Sequence, residues 1–209
     1  MSIQQTPEWF AERCGKLTAS RLHEALAKDK SGKGPGITRE NYLWDLYCER
    51  TTGVPCTDSY VSPAMQLGKD TEALARRAYS FHTDTDVVEV GFVQHPTIPM
   101  SGASPDGLVG TDGLIEIKCP NRATHGKMTD DGVIPGKYIM QMQWQIICAD
   151  RLWCDFVSFN QSFSVEENYF QKRIERDDDM IAMLEKEARA FLAEVDALIE
   201  RRSKKRTTA

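Results

Sequence analysis

Three residues carry the chemistry open to this sequence: Asp106, Glu116 and Lys118. Glu116 and Lys118 are two apart, so on a strand they leave one face while Ile115 and Ile117 leave the other. Between Asp106 and Glu116 lies Gly110-Thr111-Asp112-Gly113, whose Asp-Gly pair signals a hairpin. Two strands, Ala103 to Val109 and Leu114 to Cys119, would then bring two carboxylates and an ammonium together. Carboxylate oxygens suit Mg²⁺, which keeps several waters and takes only one or two carboxylates from a protein. A lysine beside them can orient or help deprotonate the attacking water, or neutralise charge building on a phosphate. Pro105-Asp106, nine residues, then Glu116-Ile117-Lys118 is therefore the layout of a metal-assisted phosphodiester hydrolase. The same residues also have plainer readings, Asp106-Gly107 as a turn and Glu116 with Lys118 as a solvated charge ladder.

The elements that must position them can be read from periodicity and caps. Thr6 with Pro7 and Glu8 opens a short helix through Arg13, and a second helix begins near Thr18. Lys28 to Gly36 is too rich in Gly and Lys to pack and forms an exposed loop. Thr38 caps a helix carrying Tyr42, Leu43, Leu46 and Tyr47, which Gly53 ends. Ser62 and Pro63 open another, running through Leu74 and Ala78 toward Tyr79. The sheet begins with Val87, Val88, Val90, Phe92 and Val93. After the hairpin come a helix from about Gly136 to Cys148, strands Leu152 to Phe159 and Tyr169 to Ile174, and a long amphipathic helix, Asp178 to Arg201. The class is α/β, a mixed central sheet flanked by helices, with the metal site at the hairpin of the second and third strands. One domain is expected over residues 1–209, ordered to about residue 200, with a disordered basic tail over 201–209.

Composition narrows the function classes. Of the 209 residues 41% are hydrophobic and 27% charged, as in ordinary globular proteins. There is no run of about 18 apolar residues and no signal-peptide layout, so no membrane partner is expected and the location is cytoplasmic by default. Cys14, Cys48, Cys56, Cys119, Cys148 and Cys154 are scattered without a C-x-x-C pair, which argues for reduced thiols and against a zinc or iron–sulfur site. A net charge of −5 is a poor fit to a protein that coats nucleic acid through bulk positive charge, so any DNA contact must be local. Basic residues do cluster in Lys28, Lys30 and Lys33 and again in Arg201, Arg202, Lys204, Lys205 and Arg206, where a solvated loop and tail are the ordinary reading.

Further blocks flank the three central residues. Trp9, Arg13, Thr18, Ala19 and Ser20 form W-x-x-x-R-x-x-x-x-T-A-S, and Leu67, Gly68, Lys69 and Glu72 form L-G-K-x-x-E. Gly102 to Gly107 read G-A-S-P-D-G, Glu116 to Pro120 read E-I-K-C-P, and Tyr138, Gln141 and Gln143 form Y-x-x-Q-M-Q. With these blocks in this order, the sequence over about residues 7 to 160 resembles the lambda exonuclease and YqaJ-like viral recombinase family of the PD-(D/E)-x-K nuclease superfamily. The segment after residue 160 carries no family motif.

The resemblance implies a restriction-endonuclease-like fold and a Mg²⁺-dependent 5′–3′ exonuclease on double-stranded DNA. Such an enzyme hydrolyses the 5′-phosphorylated strand processively to mononucleotides and leaves a 3′ single strand for recombination by annealing. Asp106, Glu116 and the backbone carbonyl of Ile117 would hold the metal, two ions in all, with Mn²⁺ able to substitute. Lys118 would be the catalytic lysine, and Glu72 would face the same site, directly or through water. A pocket for the 5′-phosphate would use Arg13, Ser20, Ser104 and Gln143, whose guanidinium, hydroxyl and amide groups suit phosphate oxygens. Ala64 and Met65 stand where the family places an apolar wedge at the duplex end, and Trp9 could stack on a base. The resemblance also implies a homotrimeric ring around DNA, a single-strand annealing protein as partner, and a phage or prophage origin in a bacterial host. Two alternatives stay open. A site- or structure-specific endonuclease of the same fold should carry base-reading residues in place of the phosphate pocket, and a non-catalytic DNA-binding protein should have lost one of Asp106, Glu116 and Lys118.

Overall fold

A computed structural model describes residues 3–56 and 63–207, except for the side chains of 63–70, 206 and 207. Thr6 opens α1 (Pro7–Arg13) as expected, its side chain accepting from the Trp9 N–H at 3.3 Å. A second helical segment does begin just after Thr18, at Ala19, but an unexpected strand precedes it. Leu17–Thr18 is a short strand, β1, followed by a tight turn and a one-turn helix, α2 (Leu22–Ala25). Thr18 sits in β1 because Leu17 and Thr18 pair in parallel with Ser101 and Gly102, a non-local contact that outweighs local helix signals. Next come α3 (Ile37–Thr52), capped by Gly36 two residues earlier than Thr38 would have it and ended by Gly53 at φ 70°, and α4 (Pro63–Thr83). The Lys-rich loop before α3 is exposed and ordered: Lys28 bridges Pro35, and the Asp29 carboxylate accepts from the Ser31 and Lys33 backbone.

The valine run splits into β2 (Val87–Val88) and β3 (Val93–Gln94), which belong to different sheets. The single strand expected over Ala103 to Val109 is likewise two, β4 (Ser101–Ala103) and β5 (Gly107–Val109), interrupted by Ser104-Pro105-Asp106. Proline lacks the N–H a ladder needs, so the break falls there. β6 (Gly113–Lys118) returns antiparallel to β5, and the residue that turns the chain is Gly110 at φ 55°. Gly113 serves a different need, since a Cβ there would collide with the Trp153 ring. The remaining elements are α5 (Arg122–Asp131), absent from the sequence reading, then α6 (Gly136–Ala149), β7 (Trp153–Phe159), β8 (Tyr169–Glu175) and α7 (Asp178–Thr207). α7 stays helical through the basic segment to Thr207, where a disordered tail was expected.

Two sheets result, a five-stranded one ordered β2-β5-β6-β7-β8 and a three-stranded one ordered β1-β4-β3, so the α/β class holds. Only β6 and β7 run parallel in the larger sheet. Its two faces are distinct. Ile115, Ile117, Val157 and Phe159 pack against Ala75 and Tyr79 of α4, while Leu114, Cys154 and Phe156 pack against Met142 and Ile146 of α6. Trp144 and Cys148, on the far side of α6, enter a third cluster with Leu22, Tyr42, Leu46, Leu184 and Phe191. α6 is thus buried on all sides and joins the large sheet to the helical layer.

One polar network crosses the sheet. The fully buried Asp155 carboxylate accepts from Tyr79 Oη at 2.8 Å, from Gln171 Nε2 at 3.0 Å and from two guanidinium nitrogens of Arg173 at 2.8 and 2.9 Å. Arg173 also lies 3.5 Å over the Trp153 ring. Asp155→Ala strands a buried hydroxyl and an arginine, and because that arginine is half in solvent the expected cost is about 2 to 4 kcal/mol. Denaturant unfolding measures it; a loss under about 1 kcal/mol would show that the network is dispensable.

Candidate active site

Glu116 lies in the middle of β6, 1% exposed, on the face covered by α6. A carboxylate at that depth needs donors, and α6 supplies two of them one turn apart. Gln141 Nε2 donates to Oε1 at 2.7 Å and Gln145 Nε2 to Oε2 at 2.6 Å. Lys118 Nζ makes the third contact, 2.5 Å from Oε1, and also lies 5.1 Å over the Tyr138 ring. The Gln145 carbonyl oxygen has no hydrogen-bond partner among the described residues, so the amide is oriented by Glu116. Burial alone would lower the Lys118 ammonium, but Glu116 and Asp106 override it and hold the lysine above its ordinary value, a firm cation.

Asp106 sits on the turn into β5, where the proline break releases the chain from the ladder. Its Oδ2 accepts the Ile117 N–H at 2.6 Å. In a strand the N–H and C=O of one residue leave on the same side, so the Ile117 carbonyl also points past the end of β5, toward Asp106. Desolvation, then the facing charges of Glu116 and Glu72, push the Asp106 carboxyl well above the usual carboxylate range. Glu72 is raised for the same first reason, with Arg76 opposing and Glu116 adding to it. Glu72, on α4, is within electrostatic reach of Glu116 and Lys118, and its Oε1 lies 2.8 Å from Arg76 Nη2.

This arrangement bears on whether a divalent cation fits. Three carboxylates stand within electrostatic reach of one another and of Lys118, and Asp106 and Glu72 are raised by burial first and by their neighbouring carboxylates second. Hard oxygens and excess negative charge are what Mg²⁺ or Mn²⁺ requires. Among the described residues no three of His, Cys, Asp and Glu are already drawn into a ligand cage. Mg²⁺ needs only one or two carboxylates, so the donor set still fits.

A second constellation forms beyond β1 and β4. These strands are parallel, Thr18 opposite Gly102, so Ser20 and Ser104 emerge two residues later from neighbouring strand ends. Arg13 Nη1 donates to Ser104 Oγ at 3.0 Å, Trp9 Nε1 donates to the same oxygen at 3.0 Å, and the guanidinium lies 4.2 Å over the Trp9 ring. Thr18 Oγ1 is 3.4 Å from Ser20 Oγ, and Arg13, Lys16, Thr18 and Arg21 line one cavity of about 140 Å³. Burial lowers the Arg13 guanidinium to about 10, which leaves it charged at neutral pH. Trp9 is itself buried and anchors Arg13 and Ser104, in place of the base-stacking role considered for it.

Gln143 is not part of this group. Its Nε2 donates to the Glu175 carbonyl at 2.7 Å and its Oε1 accepts the Asp177 N–H at 2.9 Å, so it clamps the entry to α7. On α6 it points about 100° away per residue from its neighbours Gln141 and Gln145, and those two reach the site. Gln145 was missed by the motif, although its i+4 spacing from Gln141 places both on one helix face. The side chains of Ala64 and Met65 lie outside the described residues.

With this geometry fixed, comparison with known proteins identifies the relationship. The family model for the YqaJ-like viral recombinase domain matches residues 8–152. The chain belongs to this family. As a YqaJ-like domain it has the fold of an alkaline exonuclease (LHK-Exo) from Laribacter hongkongensis, with a TM-score of 0.90 and 46% identity over 97% of this chain and 99% of that one. The same protein in complex with dAMP matches with a TM-score of 0.91. A phage related exonuclease from Haemophilus somnus shares the fold at 18% identity and a TM-score of 0.70, over 89% of this chain and 96% of that one. A curated relative, Uncharacterized protein R354 of Acanthamoeba polyphaga mimivirus, is 29% identical over 167 residues, and the chain spans 28% of that protein's length. The YqaJ family is one of metal-dependent nucleases, in keeping with the carboxylate set. Among the described residues no helix is long and apolar enough to cross a membrane.

The two glutamines of α6 should separate in their effects. Gln145→Leu is expected to weaken Mn²⁺ binding about tenfold or more by freeing Glu116, read by calorimetry. Gln143→Leu should instead lower unfolding stability by about 1 to 3 kcal/mol and leave Mn²⁺ affinity unchanged. Equal metal affinity in both variants would remove Gln145 from the site.

Proposed function

We propose that this protein is a DNA exonuclease that hydrolyses the 5′-phosphorylated strand of duplex ends with Mg²⁺, processively, to mononucleotides, leaving a 3′ single strand for annealing. The observation that carries the reading is the contact of Glu116 with Lys118 beside Asp106, in a chain 46% identical to an alkaline exonuclease over nearly the whole of both. The complex of that relative with dAMP supports the product, since dAMP is a mononucleotide.

The roles follow from chemistry. Asp106, Glu116 and the Ile117 carbonyl would hold the metal, with Glu72 adding a ligand or a water contact. The bound cation would supply Lewis-acid stabilisation of the phosphate. Gln141 and Gln145 use both Glu116 oxygens as acceptors, which fixes the carboxylate's plane. Lys118, held as a cation, donates hydrogen bonds to the attacking water or to charge growing on the phosphate in the transition state. Arg13, with the hydroxyls of Ser104 and Ser20, would receive the terminal phosphate, and Gln143 is released from that set. Ala64 and Met65 remain the proposed wedge. A homotrimeric ring, a single-strand annealing partner, Mn²⁺ as a substitute and a cytoplasmic, phage-type setting complete the reading. They are supported by family membership alone.

Digestion of linear duplex DNA with Mg²⁺ tests it. 5′-Phosphorylated ends should be resected faster than 5′-hydroxyl ends, Arg13→Ala should erase that preference, and Lys118→Ala should lower kcat about 10²- to 10³-fold or more. Cutting of closed circles would instead favour an endonuclease.

A further inference from the structure

One cavity, about 540 Å³, is not used by any role assigned above. It opens off the carboxyl ends of the parallel strands β6 and β7, the place where open α/β sheets hold ligands. It also adjoins the catalytic residues through the chain itself. Cys119, which lines it, directly follows Lys118, and Thr71, which also lines it, directly precedes Glu72.

The cavity is built and held in shape. Phe159, 7% exposed and the last residue of β7, is part of its lining. Asn160 then fixes the wall with both ends of its amide, Nδ2 donating to the Pro120 carbonyl at 2.8 Å and Oδ1 accepting the Ser162 N–H at 3.0 Å. Behind that wall the fully buried His125 ties α5 to β7 through Ser158 Oγ at 2.8 Å and to the following loop through the Glu167 carbonyl at 2.9 Å. A buried imidazole spent on pinning a loop fits a wall that must not move.

The lining has the chemistry of a nucleotide site. Phe159, Pro120 and Ala123 offer apolar surface to the faces of a planar ring. Gln161 and Ser162 offer amide and hydroxyl groups at an edge, and Arg122, exposed at the rim, offers a guanidinium fork for a phosphate. The volume lies in the usual range for small-molecule sites, about 300 to 1,000 Å³. Resting on the exonuclease reading, we propose that this cavity seats one nucleotide of the strand being cut, its base inside and its phosphate at Arg122.

Two surface changes on the first turn of α5 test the pocket without touching the metal residues: Ala123→Trp, which fills the mouth, and Arg122→Ala. Thermal melting confirms that each variant is folded. Duplexes carrying one abasic residue at each of the first three positions of the 5′ strand report where a base is held. In a Lys118→Ala background with Ca²⁺, fluorescence anisotropy should show about tenfold weaker binding of intact duplex for either variant. One abasic position should cost the parent at least as much and cost the Ala123→Trp chain nothing further. Added dAMP separates a seat for the strand from one that also retains product, since only the latter makes dAMP compete in the parent and not in the variant. Binding indifferent to both substitutions and to every abasic position would overturn the pocket, whether or not the unaltered chain digests DNA. Failure of the unaltered chain to hydrolyse any DNA would sink the exonuclease reading separately.

Discussion

Everything in this structure is arranged around one carboxylate that water barely reaches. Glu116 occupies the central strand of the larger sheet at 1% exposure, where an unpaired charge costs several kcal/mol. Three donors offset that cost: Gln141, Gln145 and Lys118. Two of them belong to α6, so the helix must cross β6 at a fixed rotation. Its Met142 and Ile146 then pack against Leu114 and Phe156, while Trp144 and Cys148 are left to meet α2, α3 and α7. The polar requirement of one residue thereby sets how two hydrophobic clusters are joined. Solvating Glu116 by moving α6 would open both.

The same helix shows how a repeated residue type divides its work. Gln141, Gln143 and Gln145 are all buried, but helical geometry sends the middle one elsewhere. Gln143 satisfies a carbonyl and an N–H at the β8–α7 junction, groups that would otherwise be stranded at a helix start. Its position is therefore tied to the last helix, and the last helix in turn covers the α3 face with Phe191 stacked on Tyr42. Tyr42 Oη accepts the Thr18 N–H at 3.1 Å at the end of β1, beside the Arg13 cavity. A chain of packed groups thus links the face of α6 that carries Gln141 and Gln145 to the cavity beside Arg13.

Much of this was legible in sequence because it depends on local rules. The Thr6 cap, the Gly53 helix end, the β5–β6 hairpin and the Glu116/Lys118 alternation each follow from a few neighbouring residues. What escaped was set by distant partners. β1, β3 and β4 are two or three residues long and exist only by pairing with one another, so Thr18 gave no strand signal of its own. Gln143 matched a motif by spacing, yet its two amide bonds lie at Glu175 and Asp177, a region without recognisable blocks. α5 has Asn121 as an ordinary side-chain cap and Gly132 as an ordinary left-handed end; its weak amphipathic pattern, with only His125 and Met128 buried, hid it.

Net charge explains the economy of the site. At −5 the molecule repels a polyanion at long range, so binding must come from short-range groups kept charged in place. Arg13 meets that need by stacking on Trp9 and bonding Ser104, and Lys118 meets it through the carboxylates that hold its proton. The two cations lie next to the ends of parallel strand pairs, β1 with β4 and β6 with β7. Parallel strands align their carboxyl ends, and the residues just past those ends are free of ladder bonds and can turn side chains toward a ligand. Ser20, Ser104 and Cys119 all stand at such positions. The proline break before Asp106 connects the two sheets at this edge, so in the proposed reading a phosphate at Arg13 and a phosphate beside Lys118 would both be referred to one segment, Ser104-Pro105-Asp106. Rigidity there matters more than total positive charge, because a misplacement of about 1 Å can cost a hundredfold in rate, whereas an added surface lysine is screened within about 10 Å.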